Sequence, residues 1–250
     1  FPTFPKEDAR LLVYERASEK ISHLKFGDLP EILPPCDIIF NDTKVVKARI
    51  YGKKDSGGET ELLLNSPLAD GKFSVYIKGK VRAGSVLNFD RNLTAEVCEL
   101  FEDGSRTVKF SQNGEPLDAA ALYRVLSRIG HVPLPPYIKR SDTKDDESWY
   151  QSVFAKNEGA VAAPTASLHF SDAMIARLAK DRKIAYLTLH VGAGTFKGVE
   201  SEDITQHKMH AEFYDIPQDT QNLIASNRPI LGVGTTVTRC VEEFARSGKA

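Results

Sequence analysis

The periodicity of the chain breaks near residue 130, and that break constrains the fold more than any other feature of the 250 residues. Before it, short β-rich runs follow one another at 11–14, 38–40, 45–51, 61–64, 73–77, 86–89, 94–100 and 107–110. Turn signals such as Asp55-Ser56-Gly57-Gly58, Asp70-Gly71 and Asp103-Gly104 separate them. Such close spacing predicts antiparallel hairpins and a small barrel. After the break, helix and strand patterns alternate. Ser171 is placed to cap a helix reaching Arg182, with Met174, Ile175, Leu178 and Ala179 on its apolar face, and 184–189 reads as a buried strand. The pattern repeats as a helix over 217–227 with Pro217 near its first turn, a strand over 230–233, and a helix over 235–247 that stops before Gly248. Alternation of this kind predicts a mostly parallel sheet with both faces covered. Between the two regimes, Pro133, Pro135 and Pro136 force residues 130–136 into an extended connection.

A single core tends to stop growing near this chain length, so two domains are expected. With 41% hydrophobic and 27% charged residues, the disordered, collagenous and low-complexity classes are excluded. No run approaches the roughly 18 apolar residues of a membrane span, and the first ten residues lack the order of a signal peptide. A cytoplasmic protein with no membrane partner is the expectation. Cys36, Cys98 and Cys240 are far apart and without a C-x-x-C partner, which predicts buried small hydrophobes and not disulfides or a zinc site.

The net charge of −1 conceals an uneven distribution. Over residues 44–91, ten basic side chains (Lys44, Lys47, Arg49, Lys53, Lys54, Lys72, Lys78, Lys80, Arg82, Arg91) meet five acidic ones (Asp55, Glu59, Glu61, Asp70, Asp90). Over 200–219, six acidic residues face only Lys208. The basic region permits nucleic-acid contact, and solvated lysines on exposed strands are an equal reading.

Two strand ends run into glycine-rich turns, one carrying His190, Gly192, Gly194 and Thr195, the other Gly234, Thr235 and Thr236. In open α/β sheets ligands gather at such ends, and a helix opening there offers free amides to a carboxylate or phosphate. A plain tight turn remains the alternative, and neither stretch is a P-loop. His207 and His210 with Glu212 lack the H-E-x-x-H order, so no metal is expected; a polar loop leading into a strand over 211–216 and a general acid or base stay open for them. His169 and His190 each sit at an element end beside small residues, where a structural histidine is the alternative.

Seven ordered blocks then point to a family. They are Asn41-Asp42-Thr43-Lys44-Val45-Val46-Lys47-Ala48-Arg49, the segment from Gly130 through Ile138, Tyr150-Gln151-Ser152-Val153-Phe154, the segment from Gly159 through Phe170, Thr188 through Phe196, Met209-His210-Ala211-Glu212, and Gly234-Thr235-Thr236-Val237-Thr238-Arg239. In this order the chain resembles the S-adenosylmethionine:tRNA ribosyltransferase-isomerases of queuosine biosynthesis. Glu147 and Gly198 depart from the residues common in that family, which has Arg and Pro there. The resemblance implies an α/β fold, a three-layer α/β/α domain interrupted by an antiparallel β-barrel. The expected division is residues 1–48 and 131–250 for the catalytic domain, incomplete at both ends, and 49–130 for the barrel.

The activity it implies is transfer and isomerisation of the ribosyl group of S-adenosylmethionine onto 7-aminomethyl-7-deazaguanine at the wobble position of tRNA. Epoxyqueuosine forms, and adenine and methionine leave. S-adenosylmethionine is then a co-substrate, with no prosthetic group or metal. The sulfonium acidifies the ribose 5′ carbon, so the chemistry needs a base, a proton donor and orientation. His190 leads the candidates for that work, followed by His169, with His210 and Glu212 also available. Gly192, Gly194, Thr195, Gly234, Thr235 and Thr236 are expected to bind the co-substrate, and Asp146 the substrate's ammonium. Lys78, Lys80 and Arg82 are expected to meet the tRNA backbone, with Arg239, Lys139 and Arg140 as the rival placement. The competing class is a non-catalytic RNA-binding protein with a basic β-barrel. An α/β methyltransferase is disfavoured because no early glycine-rich fingerprint is present.

Overall fold

The computed structural model describes residues 2–196, 202–203, 205 and 211–250. The chain opens with an antiparallel hairpin, β1 (Arg10–Glu15) and β2 (Lys20–Lys25), followed by the short helix α1 (Leu29–Ile32). Strand β3 (Asp37–Asn41) is buried at every position, which explains its continuous apolar reading. It is followed by β4 (Thr43–Val45).

Six strands then close on themselves: β5 (Arg49–Lys54), β6 (Glu59–Pro67), β7 (Lys72–Lys78), β8 (Val86–Phe89), β9 (Leu93–Leu100) and β10 (Ser105–Gln112). Their antiparallel order is β10-β7-β6-β5-β8-β9, and β9 pairs back onto β10. Closure leaves no unpaired edge. Along β6, Thr60, Leu62 and Leu64 are buried at alternate positions, and the two leucines share a core with Phe73, Val75 and Phe110. The two-residue β11 (Glu115–Pro116) extends β10, and helix α2 (Ala119–Ile129) covers the barrel with Leu122, Val125 and Leu126. The sequence reading had β-structure alone in this region; the cap that starts α2, Asp118 accepting from the Ala121 amide at 2.7 Å, is local and legible.

Residues 130–136 are extended only at their start, where His131 pairs with Arg49 across an isolated antiparallel bridge; beyond it the Leu134 amide donates to the Val132 carbonyl at 2.8 Å and Pro136 enters a turn, because the prolines restrict φ without enforcing a straight run. After them come α3 (Asp146–Trp149), β12 (Asn157–Ala160), α4 (Asp172–Leu178), β13 (Ile184–Leu189), β14 (Tyr214–Asp215), α5 (Gln218–Ile224), β15 (Ile230–Gly232) and α6 (Thr235–Ser247). Strands β13 and β15 flank β3 in parallel, β14 adds an antiparallel edge, and β12 pairs in parallel with β4. Alternate side chains of β3 enter two cores. Ile39 packs with Leu223 of α5 and with Val237 and Cys240 of α6. Ile38 and Phe40 pack with Phe170 and with Met174 and Leu178 of α4. The protein is therefore a mixed α/β fold carrying a closed six-stranded antiparallel barrel.

Several expected boundaries shift. The run 45–51 is not one strand: the chain leaves β4 at Val45 and enters the barrel at Arg49, with Val46 donating to the Ala160 carbonyl between them. Ser171 does cap α4, accepting from the Met174 amide, but the helix ends at Leu178, and Arg182 turns back to the Leu33 carbonyl. The strand expected over 211–216 is reduced to β14. Cys36 and Cys240 are buried, whereas Cys98 is only half-buried, near the end of β9. Among the described residues no helix is long and apolar enough to cross a membrane.

Candidate functional site

The ends of β3, β13 and β15 meet at one edge of the small sheet, and Asn41 ties them together. Its side-chain oxygen accepts from the amides of Thr43 (3.1 Å) and Leu189 (3.0 Å). Its amide nitrogen donates to the Leu189 carbonyl (3.0 Å) and to Thr236 Oγ1 (3.3 Å) at the start of α6. A buried amide with all these groups satisfied fixes the relative positions of both glycine-rich turns.

Helix α6 starts at Gly234, whose φ of 88° favours glycine and whose Cβ position would lie a tight 3.1 Å from the Ala166 methyl. No side chain caps this helix, so its first amides face outward without an intrahelical partner. They border a cleft of about 380 Å³ lined by Thr195, Gly234, Thr235, Thr236, Tyr137 and Tyr150, among others. Four of the residues expected to bind the co-substrate are thus brought together. Gly192 and Gly194 lie just before Thr195 on the same turn. The Gly192 amide donates to Glu212 Oε1 at 3.1 Å, and the neighbouring Ala193 amide donates to Asn65 Oδ1 of β6 at 2.8 Å. The barrel therefore grips this turn directly.

His190 follows β13 immediately. Its Nδ1 lies 2.7 Å from the hydroxyl of Thr43, which is fully buried. A Cβ built on Gly159 would lie 2.7 to 2.8 Å from three atoms of the imidazole, Nε2, Cδ2 and Cε1, so the glycine sits over the ring face. Phe213 stacks on the same imidazole with centroids 5.8 Å apart at 22°. Burial lowers the His190 pKa below its ordinary value, opposed by the negative charge of Asp42, so the imidazole is neutral near pH 7. Asp42 itself accepts from Thr188 Oγ1 (2.7 Å) and from Asn157 Nδ2. The ring of His190 does not line the cleft; its neighbour Val191 does.

The other candidates lie elsewhere or are already engaged. His169 packs 5.2 Å from the ring of Phe26, with its pKa lowered first by burial and then by Lys6, on the face of the sheet that α4 covers. Glu212 uses its second oxygen to pair with Arg239 at 2.5 Å, so both of its oxygens hold structure. Asp146, expected to hold an ammonium, is instead buried in a clamp. Arg140 donates to both of its oxygens (2.6 and 2.8 Å), and Thr143 adds its amide and hydroxyl. Those bonds, that of Arg140 foremost, hold the carboxyl down at a pKa of about 2. Arg140 is correspondingly occupied. His207 and His210 lie outside the described residues. Lys78, Lys80 and Arg82 are exposed and gather where β7 runs towards β8. Lys78 pairs with Glu61 on β6, four residues from Asn65 and thus roughly 13 Å along the strand from the turn that Asn65 grips. Among the described residues no cluster of three or more His, Cys, Asp or Glu side chains has the makings of a metal site.

Sequence reasoning passed over Asn41, Thr43, Asn65 and Gly159 as site residues. Asn41, Thr43 and Gly159 lie within blocks that carry the resemblance, but the roles of Asn41, Thr43 and Asn65 depend on partners 148, 147 and 128 positions away, and that of Gly159 on His190 in a different block.

Three comparisons bear on this arrangement. The family described as "Queuosine biosynthesis protein" matches residues 1–250. The S-adenosylmethionine:tRNA ribosyltransferase-isomerase of Campylobacter concisus is 63% identical over 247 residues, covering 98% of this chain and 73% of its own. That of Nitratiruptor sp. is 51% identical, covering 100% of this chain and 74% of its own. A crystal structure of the S-adenosylmethionine tRNA ribosyltransferase of Thermotoga maritima is 26% identical, covers 99% of this chain and 69% of that one, and gives a TM-score of 0.41. The fold is that of a mixed α/β protein, and the relatives it matches are enzymes by name. The chain belongs to the queuosine-biosynthesis family, as an S-adenosylmethionine:tRNA ribosyltransferase-isomerase.

Proposed function

We propose that the cleft at the start of α6 binds S-adenosylmethionine and that His190 handles protons as its ribosyl group is transferred. The acceptor is 7-aminomethyl-7-deazaguanine at the wobble position of tRNA; epoxyqueuosine, adenine and methionine are the products. The observation that carries this reading is the convergence of both glycine-rich turns on one cleft, joined through Asn41 to the strand that presents His190. Exposed amides at the start of α6, with the hydroxyls of Thr235 and Thr236, suit the methionine carboxylate. Gly192, Gly194 and Thr195 let the chain approach the nucleoside closely.

In chemical terms, the sulfonium makes the ribose 5′ carbon acidic. Loss of a proton there permits elimination of adenine, and the substrate amine then attacks the activated sugar. His190 has a neutral imidazole suited to proton work at pH 7, and His169 is the second candidate. His210 completes the proposed set. Glu212 acts by holding the Gly192 turn and Arg239 in place. No prosthetic group enters the reaction. The reading also takes residues 1–48 and 131–250 as a three-layer α/β/α catalytic domain and 49–130 as an inserted barrel that carries the anticodon loop. The enzyme works where tRNA is found, in the cytoplasm.

The test is mass analysis of the wobble nucleoside after incubation of tRNA bearing 7-aminomethyl-7-deazaguanine with S-adenosylmethionine and the protein. Epoxyqueuosine and one equivalent of adenine are expected. Binding of the tRNA with neither product would favour the non-catalytic RNA-binding alternative.

A further inference from the structure

The hydroxyl of Thr43 is fully buried, and its one polar partner among the described residues is His190 Nδ1, at 2.7 Å. Two hydrogen placements satisfy that distance, and they differ in cost. If Nδ1 carried the proton, it would donate to Thr43 Oγ1, and the hydroxyl hydrogen would be left buried without an acceptor. An unpaired buried donor costs about 1–3 kcal/mol. If the hydroxyl donates to an unprotonated Nδ1, both groups are satisfied, and the imidazole hydrogen resides on Nε2. Nε2 makes no hydrogen bond to any described residue and is not sealed among the buried atoms that lack a partner.

We infer that Thr43 is a positioning residue that locks His190 in its neutral Nε2–H tautomer, so that the histidine meets the substrate as a hydrogen-bond donor and not as a base. This rests on the reading that His190 faces the reacting ribosyl group, and it narrows its role. Nε2–H then donates to a nitrogen of the departing purine as negative charge builds there; no bond to Nε2 breaks, and the proton that finally neutralises adenine comes from water. Removal of the ribose proton falls to another group. Gly159 over the ring face and Phe213 stacked on the ring restrict its tilt, so the direction of Nε2 is set together with the tautomer.

The imidazole nitrogens report the arrangement directly. In protein labelled with ¹⁵N-histidine, long-range ¹H–¹⁵N spectra assigned by difference against His190→Gln are expected to show an unprotonated Nδ1 and a protonated Nε2 for His190 near pH 7. Thr43→Val, which keeps the shape and removes the hydroxyl, is expected to shift this signature towards a mixture and to slow single-turnover adenine release about tenfold, the loss of one hydrogen bond worth about 1.4 kcal/mol. Thr43→Ser is expected to restore both. A protonated Nδ1 in the unmutated enzyme, or a signature indifferent to Thr43→Val, overturns the inference without any appeal to the fold of a variant. The underlying reading fails separately, if His190→Ala, which has no donor, releases adenine at the unmutated rate while the tautomer signature stands.

Discussion

Gly159 lies directly against the imidazole of His190, so close that a Cβ on Gly159 would come within 2.7 Å of Nε2. Contacts that short do not persist, and Gly159→Ala must move either β12 or the ring. The histidine is the mobile partner, since it hangs from the end of β13 while Gly159 belongs to a strand paired with β4. Overpacking of this kind costs about 1–3 kcal/mol. Gly159→Ala is therefore expected to slow single-turnover adenine release sharply while S-adenosylmethionine still binds. Release at the unmutated rate by the folded variant would show that the ring's position is immaterial.

His190→Ala is expected to lower single-turnover adenine release by about 10²–10³-fold, the usual contribution of a donor aimed at charge that develops in the transition state. Affinity for S-adenosylmethionine and tRNA should change little. His169→Ala, whose ring packs on Phe26, should mainly lower thermal stability. A reversal of these two outcomes, measured by quench-flow and by melting, would exchange their roles.

At the start of α6, Gly234→Ala should weaken S-adenosylmethionine binding. The backbone there has a φ of 88°, and the added methyl meets Ala166 at 3.1 Å. Distortion at this residue reaches the amides proposed to take the carboxylate. Calorimetric titration measures it, and an unchanged affinity in a folded variant would remove the helix start from the binding site.

The Asp146 clamp sets an acid limit on stability. Its pKa is about 2 in the fold, below the ordinary 3.8, chiefly through Arg140 and then through Thr143 against the opposing effect of burial. A carboxyl whose folded pKa is depressed stabilises the fold above its unfolded pKa, and that contribution is lost as pH falls from about 4 towards 2. The linkage amounts to about 2 kcal/mol at neutral pH. Asp146→Asn should be destabilised by that order at pH 7, and the gap between the two proteins should fall by about half at pH 3 and close towards pH 2. Denaturant titrations at these pH values measure this difference; a gap independent of pH would assign the effect to packing alone.

What could be read from the sequence was local. Helix α6 was legible because a glycine turn, an amphipathic run and the left-handed Gly248 all fall within fifteen residues, and the Ser171 cap needs only Met174 three positions away. The barrel was legible as closely spaced short runs, though which strand would close on which, β9 on β10, was not. The environment of His190 was not legible: Thr43 is 147 residues from it in sequence, and only the parallel pairing of β4 with β12 and of β3 with β13 brings Thr43, Gly159 and His190 together. Asp146 misled for the opposite reason. Arg140 and Thr143 stand six and three residues away, so the clamp was within local reach, but a carboxylate in a motif carries no mark that says whether its oxygens are already taken.

The barrel's charges make the last prediction. Lys78, Lys80 and Arg82 are exposed where β7 runs towards β8, and among them only Lys78 faces an acidic neighbour, Glu61, in the strand register. Each phosphate neutralised by such a cation releases condensed counterion, giving a slope of log affinity against log salt of about −0.7 per contact on a single strand. If the anticodon loop crosses this end of the barrel, replacing all three by Ala should weaken tRNA binding and flatten the slope by up to about 2, while S-adenosylmethionine affinity stays constant because Asn65 and the turn it grips lie at the other end of β6. Arg239 and Arg140 are poorer rivals, since each is already held by a carboxylate, Glu212 and Asp146 respectively. Filter binding across a salt series separates the placements: an unaltered slope in the triple variant would leave these side chains merely solvated and move the RNA to the connection that carries the exposed Lys139.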